Sequence, residues 1–287
     1  MSKRSKKLIP FFKMSGSGND FILMDNRNQE LKGIKIKPFT KALCRRGLSV
    51  GADGLILIEK SSKADFKWRY LNADGEEASF CGNGARCAAR FALLREIAPA
   101  SLTFETSGGI VSAEVKETEV RVSMMSPARI ELKQDLFFRA RRWEGQFMVM
   151  GVPHWIHFAK DIDQINVPEI GPIIRNHPHF KPEGTNVNFV DILSGHELRM
   201  RTYERGVEAE TLACGTGAVA AALDGHLVHK ISSPVTIYPK GKIPLTVYFK
   251  KMEGEISEIF LEGDARVVFE GTLGPDAWAY DNDLESS

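Results

Sequence analysis

The chain has 287 residues, with 38 lysines and arginines against 37 aspartates and glutamates, and 43% of its residues are hydrophobic. So even a charge balance gives no general electrostatic pull towards nucleic acid or an anionic membrane, and a small molecule is the expected partner. Average apolar and charged content excludes the disordered, collagen-like and coiled-coil classes, and the length admits one large domain or two ordinary ones.

In chain order, MSKRSKKLIPFF starts basic as signal peptides do, but its apolar stretch is broken by Pro10 and ends at Lys13, so it reads as a solvated tail. Strands are predicted over 21–25 (FILMD), 54–59 (GLILIE), 66–73 (FKWRYLNA) and 102–109 (LTFETSGG), with a hairpin-like run over 110–125. Helical periodicity covers 38–46 and 84–96. After MMSPARI a second strand-rich series follows, over 147–159, 185–193, 197–206, 235–239, 243–251, 256–263 and 265–271, with one further helix over 217–228. No apolar run reaches the ~18–20 residues of a membrane span. Cys44, Cys81, Cys87 and Cys214 form no dense secreted-type framework, so reduced thiols and a cytoplasmic location are expected.

Sliding Cys214 onto Cys81 lays YLNADGEEASFCGNGARCAAR over YERGVEAETLACGTGAVAAAL without a gap. Tyr70 meets Tyr203, Glu77 meets Glu210, Gly82 and Gly84 meet Gly215 and Gly217, and Ala85, Ala88 and Ala89 meet Ala218, Ala221 and Ala222. This is the mark of an internal duplication, each half supplying a strand, a long turn, a cysteine and a small-residue helix.

Glycines beside a cysteine at a helix start allow close backbone approach, and the unpaired amides of the first turn suit a carboxylate. The same helix end favours a thiolate. Should the two halves face each other about a pseudo-two-fold axis, the thiols would flank one ligand. One thiolate and one opposed thiol are what stereoinversion at a carbon acid requires. His154 and His157 lack companions at zinc-type intervals, and there is no evident pyridoxal-phosphate lysine motif, so neither metal nor cofactor is expected. Cys44 and Cys87 read as core, Cys87 lying six residues beyond Cys81 and about 1.7 turns round the helix.

Over nearly its whole length the chain resembles the cofactor-independent diaminopimelate epimerases. The motifs that carry this are KMSGSGNDF (13–21), GADG (51–54), NADGEEASFCGNGARC (72–87), GVPH (151–154), GTNVNF (184–189), YERGVEAETLACGTGA (203–218) and EGDARVVFEG (262–271), in the family's order. The resemblance implies an α/β fold of the α+β type, with two pseudo-symmetric lobes and the active site in the cleft between them. Each lobe would be a curved, mostly antiparallel sheet wrapped around a central helix. It implies an N-terminal lobe over 1–126, joined by a returning strand within 265–287, and a C-terminal lobe over 127–264. By position, Cys81 and Cys214 would be the acid–base pair, helped by Glu204 and His154. Backbone amides at Gly82–Asn83 and Gly215–Thr216 would cradle the reactive carboxylate, and Asn19, Asn72, Asn186, Glu204 and Arg205 would orient the substrate. Neutral amides and one arginine suit a zwitterion with a distal carboxylate. The expected partners are the small-molecule substrate, diaminopimelate, and a second copy of the chain in a homodimer.

Residue types alone leave other readings open. His154 would serve equally as a satisfied structural histidine, the arginine of ERG as a surface residue, and Asn19 and Asn83 as turn formers beside glycine. Two departures from the family bear on the substrate: Val152 stands where many members have asparagine, and Gly54 where some have glutamine. The alternatives are a racemase of proline, hydroxyproline or histidine, or a non-catalytic amino-acid-binding protein with a redox thiol pair.

Overall fold

Alternation of buried and exposed residues, as along Gly109–Lys116, marks strands half-buried on a sheet. The computed structural model describes residues 8–78, 80–252 and 255–281. By their contacts these divide into two units, one running to Val122 and resuming at Asp264, the other spanning Ser123–Gly263.

The first unit contains β1 (Ile9–Gly16), β2 (Asn19–Asp25), β3 (Gly54–Glu59), β4 (Phe66–Asn72), β5 (Ser101–Thr106), β6 (Gly109–Lys116) and β7 (Glu119–Ser123), with helices α1 (Ile36–Cys44) and α2 (Gly82–Leu94). The second contains β8 (Arg129–Glu131), β9 (Leu136–Phe138), β10 (Arg141–Trp143), β11 (Gln146–Met150), β12 (Val152–Phe158), α3 (Val167–Arg175), β13 (Asn186–Ser194), β14 (Glu197–Glu204), β15 (Ala209–Thr211), α4 (Gly215–His229), β16 (Val235–Pro239), β17 (Leu245–Met252) and β18 (Glu255–Asp264). The last strand, β19 (Arg266–Leu273), returns to the first unit and pairs with β1.

The duplication is legible in the ladders. Strands β19, β1, β2, β3, β4, β5, β6 and β7 join in the senses antiparallel, antiparallel, parallel, antiparallel, parallel, antiparallel and antiparallel. Strands β8, β11, β12, β13, β14, β16, β17 and β18 repeat that succession. Parallel neighbours need a crossover, and α1, α2, α3 and α4 supply one for each parallel pair. Helix α2 packs on β1, β2, β3 and β6, and α4 on β11, β12, β13, β14, β16 and β17. Both are buried nearly all round, Ala85, Ala88 and Ala89 in one and Ala218–Ala222 in the other, as a helix enclosed by its own sheet must be.

Two readings of the sequence are corrected. The segment from Ile9 is strand rather than solvated tail: Ile9, Phe11 and Phe12 are buried, and Pro10 lies opposite Thr272 in the ladder. Residues 1–7 lie outside the described residues. Helix α3 was hidden by Pro168, Gly171 and Pro172. A proline in the first turn lacks only an amide hydrogen that a helix start leaves unused. Gly171 is needed because a Cβ there would stand 2.5 Å from Tyr203 Cγ. Among the described residues no helix is long and apolar enough to cross a membrane.

Candidate active site

In the first unit β4 ends at Asn72, a turn follows, and Cys81 stands at the N-cap of α2 with extended backbone (φ −146°, ψ 115°). The Cys81 carbonyl accepts the first helical bond, from Ala85 N at 2.8 Å, leaving the amides of Gly82, Asn83 and Gly84 directed out of the helix end. Gly84 lets this first turn sit on the sheet, since a Cβ would lie 3.2 Å from Ile56 Cδ1.

Behind that turn runs a directional chain of carboxamides. Arg86 Nη2 donates to Asn83 Oδ1 (2.9 Å), Asn83 Nδ2 to Asn19 Oδ1 (2.7 Å), and Asn19 Nδ2 to Asp53 Oδ2 (2.9 Å). A guanidinium only donates and a carboxylate only accepts, so the two ends fix which way both amides point. Arg86 is fully buried and also donates to Ser17 Oγ (2.7 Å), the Gly82 carbonyl (3.3 Å) and the Asp264 carbonyl (3.2 Å). Burial pulls its pKa below the usual arginine value, against the opposing pull of Cys87, Asp264 and Cys81. Arg46 clamps the other end, reaching Asp53 Oδ1 at 2.8 Å and Asp20 Oδ2 at 2.9 Å. Burial pushes Asp20 up, but Arg46 and Lys13 together outweigh it and hold the carboxyl at about 2.

Asn72 accepts from the Tyr70 hydroxyl at 2.9 Å. Gly54 makes room for that tyrosine: a Cβ would fall 2.6 Å from Tyr70 Cε2 and 2.5 Å from the Leu71 carbonyl. The departure at position 54 therefore accompanies an aromatic ring laid over it. Cys44 and Cys87 are buried, and burial pushes both thiols up to about 12.

The second unit repeats the frame. Cys214 caps α4 with extended backbone (φ −129°, ψ 110°), and its carbonyl accepts from Ala218 N at 2.9 Å. Its Sγ lies 3.7 Å from Thr216 Oγ1, which in turn lies 3.0 Å from His154 Nε2. His154, from β12, is wholly buried; desolvation, with the Arg205 charge adding to it, drives it down to about 3, so the ring is neutral. Asn188 Nδ2 faces His154 Nδ1 at 3.2 Å, and Thr202 Oγ1 donates to Asn188 Oδ1 at 3.0 Å. Asn186 ties backbone to backbone, donating to the Pro153 carbonyl (3.0 Å) and accepting from Arg205 N (2.8 Å). The Arg205 guanidinium donates to the Glu183 carbonyl at 3.0 Å. Glu204, half-buried, ends β14 just before that turn.

Within the first unit Asn19 and Asn83 are thus joined at the start of α2, and Asn72 is held nearby in sequence by Tyr70 rather than by them. Within the second, His154, Thr216 and Cys214 form one connected group, while Asn186 shapes the turn that carries Arg205. Sequence reasoning missed Arg86, Asp53, Asn188 and Thr202. For Arg86, Asp53 and Asn188 the one available signal was their position inside motifs already singled out, NADGEEASFCGNGARC, GADG and GTNVNF, whereas Thr202 lies just before YERGVEAETLACGTGA.

This architecture is shared with known structures. A hydroxyproline epimerase from Agrobacterium vitis with bound trans-4-hydroxy-L-proline superposes with a TM-score of 0.70 at 16% identity, covering 95% of this chain and 94% of that one. A PhzF-family phenazine biosynthesis protein from Bacillus anthracis gives 0.70 at 18% identity, over 93% and 99%. The chain therefore shares the α/β fold of these structures. The family model for diaminopimelate epimerase matches residues 11–131 and 147–268. Diaminopimelate epimerases from Aquifex aeolicus and Chlorobaculum tepidum are 41% and 44% identical over 95% and 91% of this chain, and over 100% and 99% of their own lengths. The chain belongs to the diaminopimelate epimerase family, and it is an isomerase.

Proposed function

We propose that the protein interconverts LL- and meso-diaminopimelate, supplying lysine and peptidoglycan precursors, with Cys81 and Cys214 as its two acid–base groups. The observation that carries this reading is the repeated frame: each cysteine caps a buried helix whose first-turn amides point outward beside the sulfur. One thiolate takes the α-proton, and the electron pair left on carbon delocalises into the substrate carboxylate. The amides of Gly82–Asn83 and Gly215–Thr216 stabilise that charge as it develops. The opposed thiol then delivers a proton to the other face, leaving a thiol where the base was and a thiolate where the acid was. No atom is gained or lost overall.

In this reading Asn19, Asn72, Asn186 and Glu204 orient the zwitterion, and Arg205 takes the distal carboxylate. His154 acts behind the Cys214 thiol. The enzyme works in the cytoplasm and assembles as a homodimer. Val152 and Gly54 favour keeping the racemases of proline, hydroxyproline and histidine as competitors, and these are separated by a substrate panel.

The test is to incubate the reduced protein with meso-diaminopimelate in deuterated water and follow α-deuterium by mass spectrometry. Incorporation is expected for the wild type and for Cys87→Ala, and none for Cys81→Ala or Cys214→Ala. A wild type with full thiol titre that incorporates no deuterium, or incorporates it only into one of the competing amino acids, would overturn the reading.

A further inference from the structure

We infer that Thr202 and Asn188 are positioning residues that fix the tautomer of His154 and, through it, turn the Thr216 hydroxyl proton onto the Cys214 sulfur. Thr202 Oγ1 donates to Asn188 Oδ1 at 3.0 Å, which turns the amide nitrogen of Asn188 towards His154 Nδ1 (3.2 Å) and the Trp155 carbonyl (3.3 Å). An amide nitrogen only donates, so His154 Nδ1 must accept and carries no proton. The buried ring is neutral, and its single proton therefore sits on Nε2.

From Nε2 the proton points at Thr216 Oγ1, 3.0 Å away, and the threonine oxygen is the acceptor. The hydroxyl keeps its own hydrogen for another partner. Cys214 Sγ stands 3.7 Å off, within reach for a sulfur acceptor. Such a bond strengthens when the sulfur becomes a thiolate, so the arrangement favours the proton-accepting state of Cys214. No proton travels along the chain; it acts only by orientation.

Two observations set this apart from ordinary core satisfaction. Thr202, Asn188 and His154 are each at most 2% exposed, so bulk solvent does not reach the arrangement. Gly217, the second glycine of CGTG, is required by it: a Cβ there would lie 2.6 Å from Asn188 Oδ1 and 3.2 Å from Cys214 Sγ. The matching position at the other helix start is occupied differently. The residue matching Thr216 at the other cysteine is Asn83, whose amide is held between Arg86 and Asn19.

The significance for catalysis rests on the reading of Cys214 as an acid–base group, whereas the tests need no substrate. In full-length protein labelled with nitrogen-15 histidine, His154 should show a bare Nδ1 and a protonated Nε2. A proton on Nδ1 would overturn the inference, whatever the variants do. The second test follows thiolate absorbance against pH in a Cys81→Ala background, where Cys44 and Cys87, pushed up to about 12, stay silent at lower pH. Thr216→Val should raise the Cys214 midpoint by about one unit, and Thr216→Ser should restore it. Asn188→Leu should raise it less and mix the two tautomers. An unmoved midpoint in Thr216→Val would sink the proposal. A shifted midpoint in a protein that incorporates no deuterium would leave the relay standing and remove the epimerase reading instead.

Discussion

Arg86 illustrates how a single buried charge organises a site from behind. Burying a guanidinium is costly, and here it is offset by four acceptors, Asn83 Oδ1, Ser17 Oγ and the carbonyls of Gly82 and Asp264. Removing it strands those acceptors and frees the Asn83 amide to turn. Arg86→Met is expected to lower stability by roughly 3 kcal/mol in denaturant titration. It should also raise KM more than it lowers kcat, because Asn83 and Asn19 would no longer be held in one orientation; an unchanged KM in a folded variant would refute that role. Residue-level legibility was uneven. Cys81 and Cys214 stood out because rare residues recurred in one frame. Arg86 and Asn188 did not, because their partners lie far off in sequence, Ser17 and Asp264 for one and His154 and Thr202 for the other.

At the scale of elements, the helix starts and the helix interiors follow different rules. The starts of α2 and α4 are read from glycine and cysteine spacing, and both begin two residues earlier than periodicity alone suggested, because glycine carries no side chain to register in an apolar pattern. The interior of α4 holds an anomaly, Asp224, wholly buried and with Oδ1 lacking a hydrogen-bond partner among the described residues; its Oδ2 lies 3.0 Å from the Gln146 amide nitrogen once that carboxamide is turned to donate. Burial lifts this carboxyl from 3.8 to about 8. Below pH 3.8 it is protonated in both folded and unfolded chains and has no effect on stability. Between there and about 8 the unfolded chain ionises while the folded one holds its proton, so stability falls as pH rises, and the loss is complete above the folded value. Asp224→Asn should therefore stabilise the protein by on the order of 3 kcal/mol near neutrality and by little at pH ~4. Thermal melts of the two proteins at both pH values check this, and an equal difference at each would contradict it.

At the scale of the whole chain, two units repeat one succession of strand pairings, and the last strand completes the first unit's sheet through β1. That strand exposes Val268 and Phe269, at 57% and 46%, which supports the proposed homodimer. Sedimentation should find dimers that Phe269→Glu converts to monomers while leaving each unit folded; monomeric wild-type protein at micromolar concentration would end that proposal. The sequence by itself determined the duplication, the two cysteines at helix starts, the strand-rich α/β class and the family, because each is written in local pattern or in ordered motifs. Only the tertiary structure decided that Ile9–Gly16 is a paired strand, that a proline-containing segment is helix, and that Asn188, Thr202, Arg86 and Asp53 stand behind the site. For Asn188 and Thr202 the physical reason lies in the strands that carry them. A polar side chain in a strand looks alike whether it faces water or a buried partner, and only the pairing of distant segments shows which groups donate to which.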